Sequence, residues 1–492
     1  SLSGKVNGDI HEFIKWIQVP GMDMLSGCMP GPPLETFIGK EPYDYPLLML
    51  TAKKISSTAL YSGAGRSMCE VFGVRDWNCS LGQQKKDNDW LASMGISMIN
   101  DNGLIYTISD FRKRALSGKH FTQPWWKHYG IYADYCRRVS MLASFAPLDA
   151  EVAVLYSSTS AHASGTCRVG AGAETWNETT RSRFMLDMLK TSMNTLFANW
   201  VDFEMLFEDV LNQSSVSGSW LECGKRRFST VVVPGCFAVD GQSRKMLGKF
   251  ADNGGKVVWL GCLPSFSYSE GRIIPFSSGK NEVFIPVEKD GKGTGKKLMA
   301  FITPSLNKNW EIENGKEAEG IWATGRASDG EYVIFLANHT GSDRKVDLKH
   351  FSAECAEILD VEDGRLYRTE TEKKGESVRT RIGLREGQSL AIRFSGRHHG
   401  HPSSACGLPP ASDLYGSRIP LGEKWEFRTR EDNLFLPELH ARKDPLGKGE
   451  KEKWYTLPIN GNWEKAFHGK LPSGFTMEES PFYWVSGTFC LS

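Results

Sequence analysis

The chain has 492 residues and a net charge of +1, which is too long for one hydrophobic core and calls for about three domains. Balanced charge leaves no electrostatic footprint for nucleic acid, and no run of about 18 uncharged apolar residues offers a membrane span. The 11 cysteines include no Cys-x-x-Cys pair and no Cys/His zinc spacing, so they read as buried thiols rather than a disulfide framework.

In chain order, HEFIKWIQVPGMDML (11–25) begins as a helical turn and leads into a short strand reaching Asp23. Residues 46–62 have helical character around KKISSTALY, and a strand follows at 67–70. SLGQQKKDNDWLASM (80–94) places apolar positions at helical spacing. Gly95 caps that helix, as glycine does where φ must turn positive. ISMIN (96–100) is another short strand, and PWWKHYGIYADYCRRVSMLAS (124–144) is a long closing helix. Polar residues sit just past each strand: Asp23, Glu70, then Asn100, Asp101 and Asn102. Strand, helix, strand, helix, strand is the repeat of a β/α barrel, whose active site lies at the carboxyl ends of its strands.

A second pattern starts at EVAVLY (151–156). It continues through a helix over 179–199, a strand at 202–206, STVVVPG (229–235), a helix over 241–252 and GGKVVWLG (254–261). Continuous β-branched runs alternating with helices predict a parallel sheet covered on both faces, a flavodoxin-like layer. From 266 to about 395 strands such as EYVIFLANHT (331–340) and QSLAIRFSG (388–396) follow one another without helices. The stretch RHHGHPSSACGLPPASD (397–413) reads as a linker. Nothing pre-organises its His398, His399 and His401 as a metal set. The fold class expected is therefore multidomain α/β plus β. The domains are a partial (β/α) barrel over 1–145, a flavodoxin-like domain over 146–265, an antiparallel β domain over 266–396, a linker over 397–420 and the start of a β-sandwich over 421–492.

Glu70, in SMCEVFGVRDWN (67–78), closes a short apolar strand. A carboxylate in such a place is costly unless it is paired or used. Pairing with Arg66 or Arg75 is the structural reading, and a catalytic carboxylate at a barrel mouth is the functional one. Cys236, in VVVPGCFAV, raises a different enzyme class, because flavodoxin-like layers of glutamine amidotransferases carry a nucleophilic cysteine after a strand. The second glycine of such an elbow is missing here, and no His-x-Glu follows.

Several segments together resemble the catalytic barrel of glycoside hydrolases of the α-L-rhamnosidase type, glycoside hydrolase family 106 and its relatives. They are IQVPGMDMLSG (17–27), SSTALYSGAGRSMCEVFGVRDWN (56–78), DWLASMGISMIND (89–101), FRKRA (111–115) and QPWWKHYGIYADYCRRVSML (123–142). The downstream layer and the opening of a β-sandwich, WEFR with NLFL (425–436), fit the same family. The resemblance implies that the three strands are about the sixth, seventh and eighth of a barrel, and that the chain is a fragment with five strands upstream. It implies that Glu70 is one of two catalytic carboxylates, the base or nucleophile, with the other near the end of a fourth strand. It further implies a carbohydrate substrate, a plant or bacterial polysaccharide or oligosaccharide, contacted by Asp23, Trp77, Asn100, Asn102 and Tyr106. The parent protein is implied to be bacterial and secreted or periplasmic. NDNGLIYTISD (100–110) departs from the family in lacking a histidine after the eighth strand.

Each contact has a structural alternative. Asp23 after Pro-Gly suits a turn cap, and Trp77 suits plain packing. No motif calls for a cofactor, while a structural or catalytic calcium stays open. A non-catalytic carbohydrate-binding or degenerate glycosidase is the alternative to an active enzyme, and an amidotransferase-like enzyme using Cys236 is a further one.

Overall fold

Three short strands, β1 (Gly21–Met24), β2 (Met68–Val71) and β3 (Met98–Asp101), pair in parallel in that order. The coordinates are a computed structural model. It describes residues 10–24, 45–73, 79–104, 119–164 and 180–397 (apart from 270–271, 278, 280, 289–291 and 329), with short stretches between 439 and 487. The chain divides into two compact units, Ser1–Tyr415 and Gly416–Ser492.

In the first unit the helices around these strands are α1 (Ile10–Ile14), α2 (Tyr45–Tyr61), α3 (Leu81–Ser93) and α4 (Tyr129–Phe145). Ser80 starts α3 by accepting from the Gln83 N–H at 3.1 Å. Gly95, at φ +89°, ends it, and a Cβ there would meet Ser56 at 3.1 Å. Side chains alternate across each strand. Met22, Met24, Cys69 and Val71 point into the core shared with the helices. Gly21, Asp23, Met68 and Glu70 lie on the other, less buried face.

The helix α2 is buried on its polar side as well as its apolar one, because it lies between this sheet and the next layer. Lys53 Nζ donates to the Phe203 carbonyl at 2.8 Å, Ser57 Oγ accepts from the Met205 N–H at 2.9 Å, and Ser56 Oγ donates to the Met94 carbonyl at 2.9 Å. Buried polar groups are tolerated there because each finds a partner.

The next layer adds β4 (Val152–Tyr156), α5 (Ser158–Ser164), α6 (Thr180–Ala198) and β5 (Phe203–Phe207). All its strands are parallel, in the order Glu282–Pro286, Lys256–Gly261, Thr230–Pro234, β4, β5. The sheet is apolar on both faces: Val154, Val232 and Val258 enter one core, and Ala153, Val231 and Val257 enter another. The strand Glu282–Pro286 and the helix Lys292–Ile302 come from beyond 265, the boundary read from the sequence. Within that edge strand Ile285 is the one buried apolar residue, so it lacks the β-branched run that marks the inner strands. A three-stranded antiparallel ribbon over 215–228 also interrupts the layer, in a stretch that reads only as turn-rich.

Two antiparallel sheets follow. One runs Trp310–Ile312, Arg344–His350, Ser377–Leu384, Glu372–Lys374. The other runs Trp322–Ser328, Glu331–Ala337, Ser389–Ser395, Cys355–Asp360, Leu366–Arg368. Val346, Leu348 and Ile382 of the first pack with Ile334, Leu336 and Ile392 of the second in one core. Charged groups tie this sandwich to the barrel segment. Asp89 of α3 accepts from Ser389 Oγ at 2.6 Å, His339 Nε2 at 2.8 Å, Lys85 Nζ at 3.2 Å and the Tyr135 hydroxyl. Arg326 donates to the carbonyls of Ala146 (2.5 Å) and Ala92 (3.1 Å).

In the second unit, Leu439–Lys443 pairs antiparallel with Glu464–Ala466 on one side and Tyr483–Gly487 on the other. The KWEFR segment and the three linker histidines lie outside the described residues. No described helix is long and apolar enough to cross a membrane.

Candidate active site

Parallel pairing fixes which side chains share a row. Asp23 is in register with Glu70, and Glu70 with Asn100. Neighbouring strands lie about 4.8 Å apart, so two carboxylates and an amide stand side by side at the carboxyl ends of three strands. Asp23 and Glu70 are half-buried, and Asn100 is exposed.

Just past β3 the parallel ladder with β2 gains one more rung. The Asn102 N–H donates to the Val71 carbonyl at 3.0 Å, and the Asn102 side-chain amide donates to Glu70 Oε1 at 2.5 Å. One Glu70 oxygen is thereby fixed by a neutral donor. Among the described residues no ion pair joins Glu70 to Arg66, which is exposed, and Arg75 lies outside those residues. The structural reading of Glu70 as half of a pair with Arg66 therefore finds no support.

The end of β2 is unusual. Phe72 is fully buried yet adopts φ +64°, a left-handed conformation that costs a non-glycine residue about 1–2 kcal/mol. The surroundings hold it there. Its N–H donates to the Met24 carbonyl at 3.3 Å, and Lys119 Nζ lies 4.8 Å from its ring centre. Lys119 is itself buried and ion-paired to Asp101 at the tip of β3, and the Tyr129 hydroxyl donates to the same carboxylate. Burial pulls the Lys119 ammonium below its ordinary value, and Asp101 opposes that shift. Thus Asp101, on the opposite face from Asn100, anchors the rim from behind.

The cluster of Phe72, Lys119 and Tyr129 has no sequence signal that a reader would single out. Lys119 stands alone in SGKHF, and an aromatic after a strand is commonplace. Trp125 and Trp126 are half-buried, with Trp126 stacked on Tyr129 at 5.2 Å between centroids and 10° between planes. They brace the start of α4. Trp77 and Tyr106, and the FRKRA segment, lie outside the described residues.

Cys236 is fully buried, and burial pushes its thiol up to about 12. Its sulfur lies 3.2 Å from the Ala238 carbonyl and accepts from Ser160 Oγ at 3.6 Å, and among the described residues no His or Lys hydrogen-bonds to it. A thiol so held is inert. Among the described residues no three His, Cys, Asp or Glu side chains converge as a metal set.

No protein-family profile matches the chain, and no curated protein does. Solved structures do. A rhamnosidase from Novosphingobium sp. superposes with a TM-score of 0.53 at 12% identity, covering 87% of this chain and 37% of its own. A GH42 β-galactosidase from G. stearothermophilus superposes with a TM-score of 0.51 at 12% identity, covering 78% of this chain and 60% of its own. The chain thus spans less than two thirds of either protein. At such identity the likeness is one of fold, and the fold shared is that of glycoside hydrolases.

Proposed function

We propose that the chain is part of a glycoside hydrolase of the α-L-rhamnosidase type and that Glu70 is its base or nucleophile. The observation that carries the reading is Glu70 at the end of the middle one of three in-register parallel strands, flanked by Asp23 and Asn100 and held by Asn102. Carboxyl ends of barrel strands are where such chemistry is done. On this reading the three strands are one side of a (β/α) barrel.

Glycoside hydrolysis needs an acid to protonate the leaving oxygen and a second carboxylate across the sugar. Glu70 fills the second role, either by taking a proton from water or by attacking the anomeric carbon. The Asn102 amide engages Oε1 with one hydrogen bond and so steadies the carboxylate that would react. The acid comes from another strand of the completed barrel. Asp23, Asn100 and Asn102, with Trp77 and Tyr106, contact the hydroxyls and ring face of a plant or bacterial saccharide.

Nitrophenyl glycosides of L-rhamnose, D-galactose and L-fucose, supplied to the full-length protein, test the reading. Release of nitrophenolate from the α-L-rhamnoside is expected. Release from the galactoside alone would overturn the rhamnosidase assignment. Release from none would favour a carbohydrate-binding or degenerate protein.

A further inference from the structure

A concavity lies away from Glu70, at the amino ends of β4 and β5, where the parallel layer meets the antiparallel sandwich. It encloses about 280 Å³, near the lower limit of roughly 300–1,000 Å³ for small-molecule sites. Two indoles line it. Trp200 sits at φ +54°, and its Nε1–H is spent on the Ile321 carbonyl at 2.9 Å, which leaves the ring to act as an apolar wall. Trp310 is 8% exposed.

Asp149, Glu151 and Asp202 line the same cavity. Asp149 accepts from Asn309 Nδ2 at 2.6 Å and the Tyr332 hydroxyl at 2.8 Å. Glu151 accepts from the Asn307 N–H at 3.0 Å, and Asp202 from the Gly325 N–H at 2.8 Å. Each carboxylate is fixed by protein donors and keeps lone pairs for a ligand. Asp149 and Glu151 disfavour an anion although Lys308 also lines the cavity, the polar lining disfavours a purely apolar guest, and no metal set exists among the described residues. An aromatic wall with fixed acceptors suits a ring that has C–H faces and outward hydroxyls.

We propose that this cavity binds a single neutral pyranose unit, separately from the Glu70 site. The wall formed by Trp200 takes the ring face, and Asp149 and Glu151 accept from adjacent hydroxyls. Asn199, exposed on the rim, closes the site.

The test is titration of the 492-residue chain with methyl β-D-galactopyranoside, followed by saturation-transfer NMR and tryptophan fluorescence. Saturable binding in the millimolar range is expected. Trp200→Leu weakens it roughly tenfold, Asn199→Ala weakens it by a smaller factor, and Glu70→Gln leaves it unchanged. The rim variant keeps the test open if Trp200→Leu does not fold. The proposal is overturned if the wild-type chain shows no saturable binding, or if both cavity variants bind as the wild type does. It is also overturned if choline binds more tightly than the pyranoside, which would make the carboxylates a cation site. Because Glu70 is untouched by these readouts, loss of the cavity proposal and loss of the glycosidase reading are separate results.

Discussion

Asn102 donates its side-chain amide to Glu70 Oε1 at 2.5 Å while its backbone N–H holds the Val71 carbonyl at 3.0 Å. The pair links the tips of two parallel strands and sets the orientation of the carboxylate. A hydrogen bond to a charged group contributes about 1.5–3 kcal/mol. Asn102→Ala in the full-length protein is therefore expected to lower kcat/KM for its glycoside by about 10- to 100-fold. Steady-state kinetics check this, and an unchanged kcat/KM would show that Asn102 plays no part in turnover.

Asp89 carries the acid sensitivity of the junction between α3 and the sandwich. Burial alone raises its carboxyl, but Lys85, His339 and Ser389 overrule it and hold the group below its ordinary value. A depressed folded value means stabilisation that is present above the ordinary carboxylate range and is lost as pH falls through the folded value. Asp89→Asn removes a buried charge from its partner Lys85, a change that costs about 3–5 kcal/mol at neutral pH. Urea unfolding across pH should show the variant's deficit narrowing toward acid.

Asp202 behaves in the opposite sense. Burial pushes its carboxyl up to about 7, against the Gly325 N–H and the nearby Lys53. Between about pH 4, the ordinary aspartate value, and 7 the folded chain holds a proton that the unfolded chain has lost. Stability contributed by Asp202 therefore falls as pH rises through that window. Asp202→Asn still accepts from Gly325 and cannot titrate, so the urea midpoint should lose this part of its slope. An unchanged slope would place the titration elsewhere.

Fully buried and with its thiol pushed up to about 12, Cys236 should resist alkylation in the native state. The less buried Cys262 should react before Cys236. Cys236→Ala should leave glycoside turnover unchanged. Rapid labelling of native Cys236, read by peptide mass mapping, would revive the thiol-nucleophile alternative.

Much of the architecture is legible in residue patterns because long periodic elements leave strong signals. The helix over 241–252 and the strand over 230–234 are visible as a capped amphipathic run and a β-branched run. The edge strand at 282–286 is not, since it buries one apolar side chain, Ile285, and a charged one, Glu282. At the site, the polar residues that end strands are legible as Asp23, Glu70 and Asn100. Their common row follows from register, which sequence alone does not state. The anchoring cluster of Phe72, Asp101, Lys119 and Tyr129 is invisible there, because it joins residues up to 57 positions apart through a strained backbone and a buried ion pair. The polar run KKISST in α2 likewise gives no hint that partners in β5 and after α3 bury it.

The most direct measurement is kcat for Glu70→Gln in the full-length protein on its hydrolysable glycoside, with circular dichroism and thermal unfolding run alongside. The variant keeps the size of the side chain but removes its charge. The account predicts a fall of roughly two to four orders of magnitude with the fold intact. Wild-type turnover in a folded Glu70→Gln protein would contradict it and leave Glu70 a structural residue at the rim of the sheet.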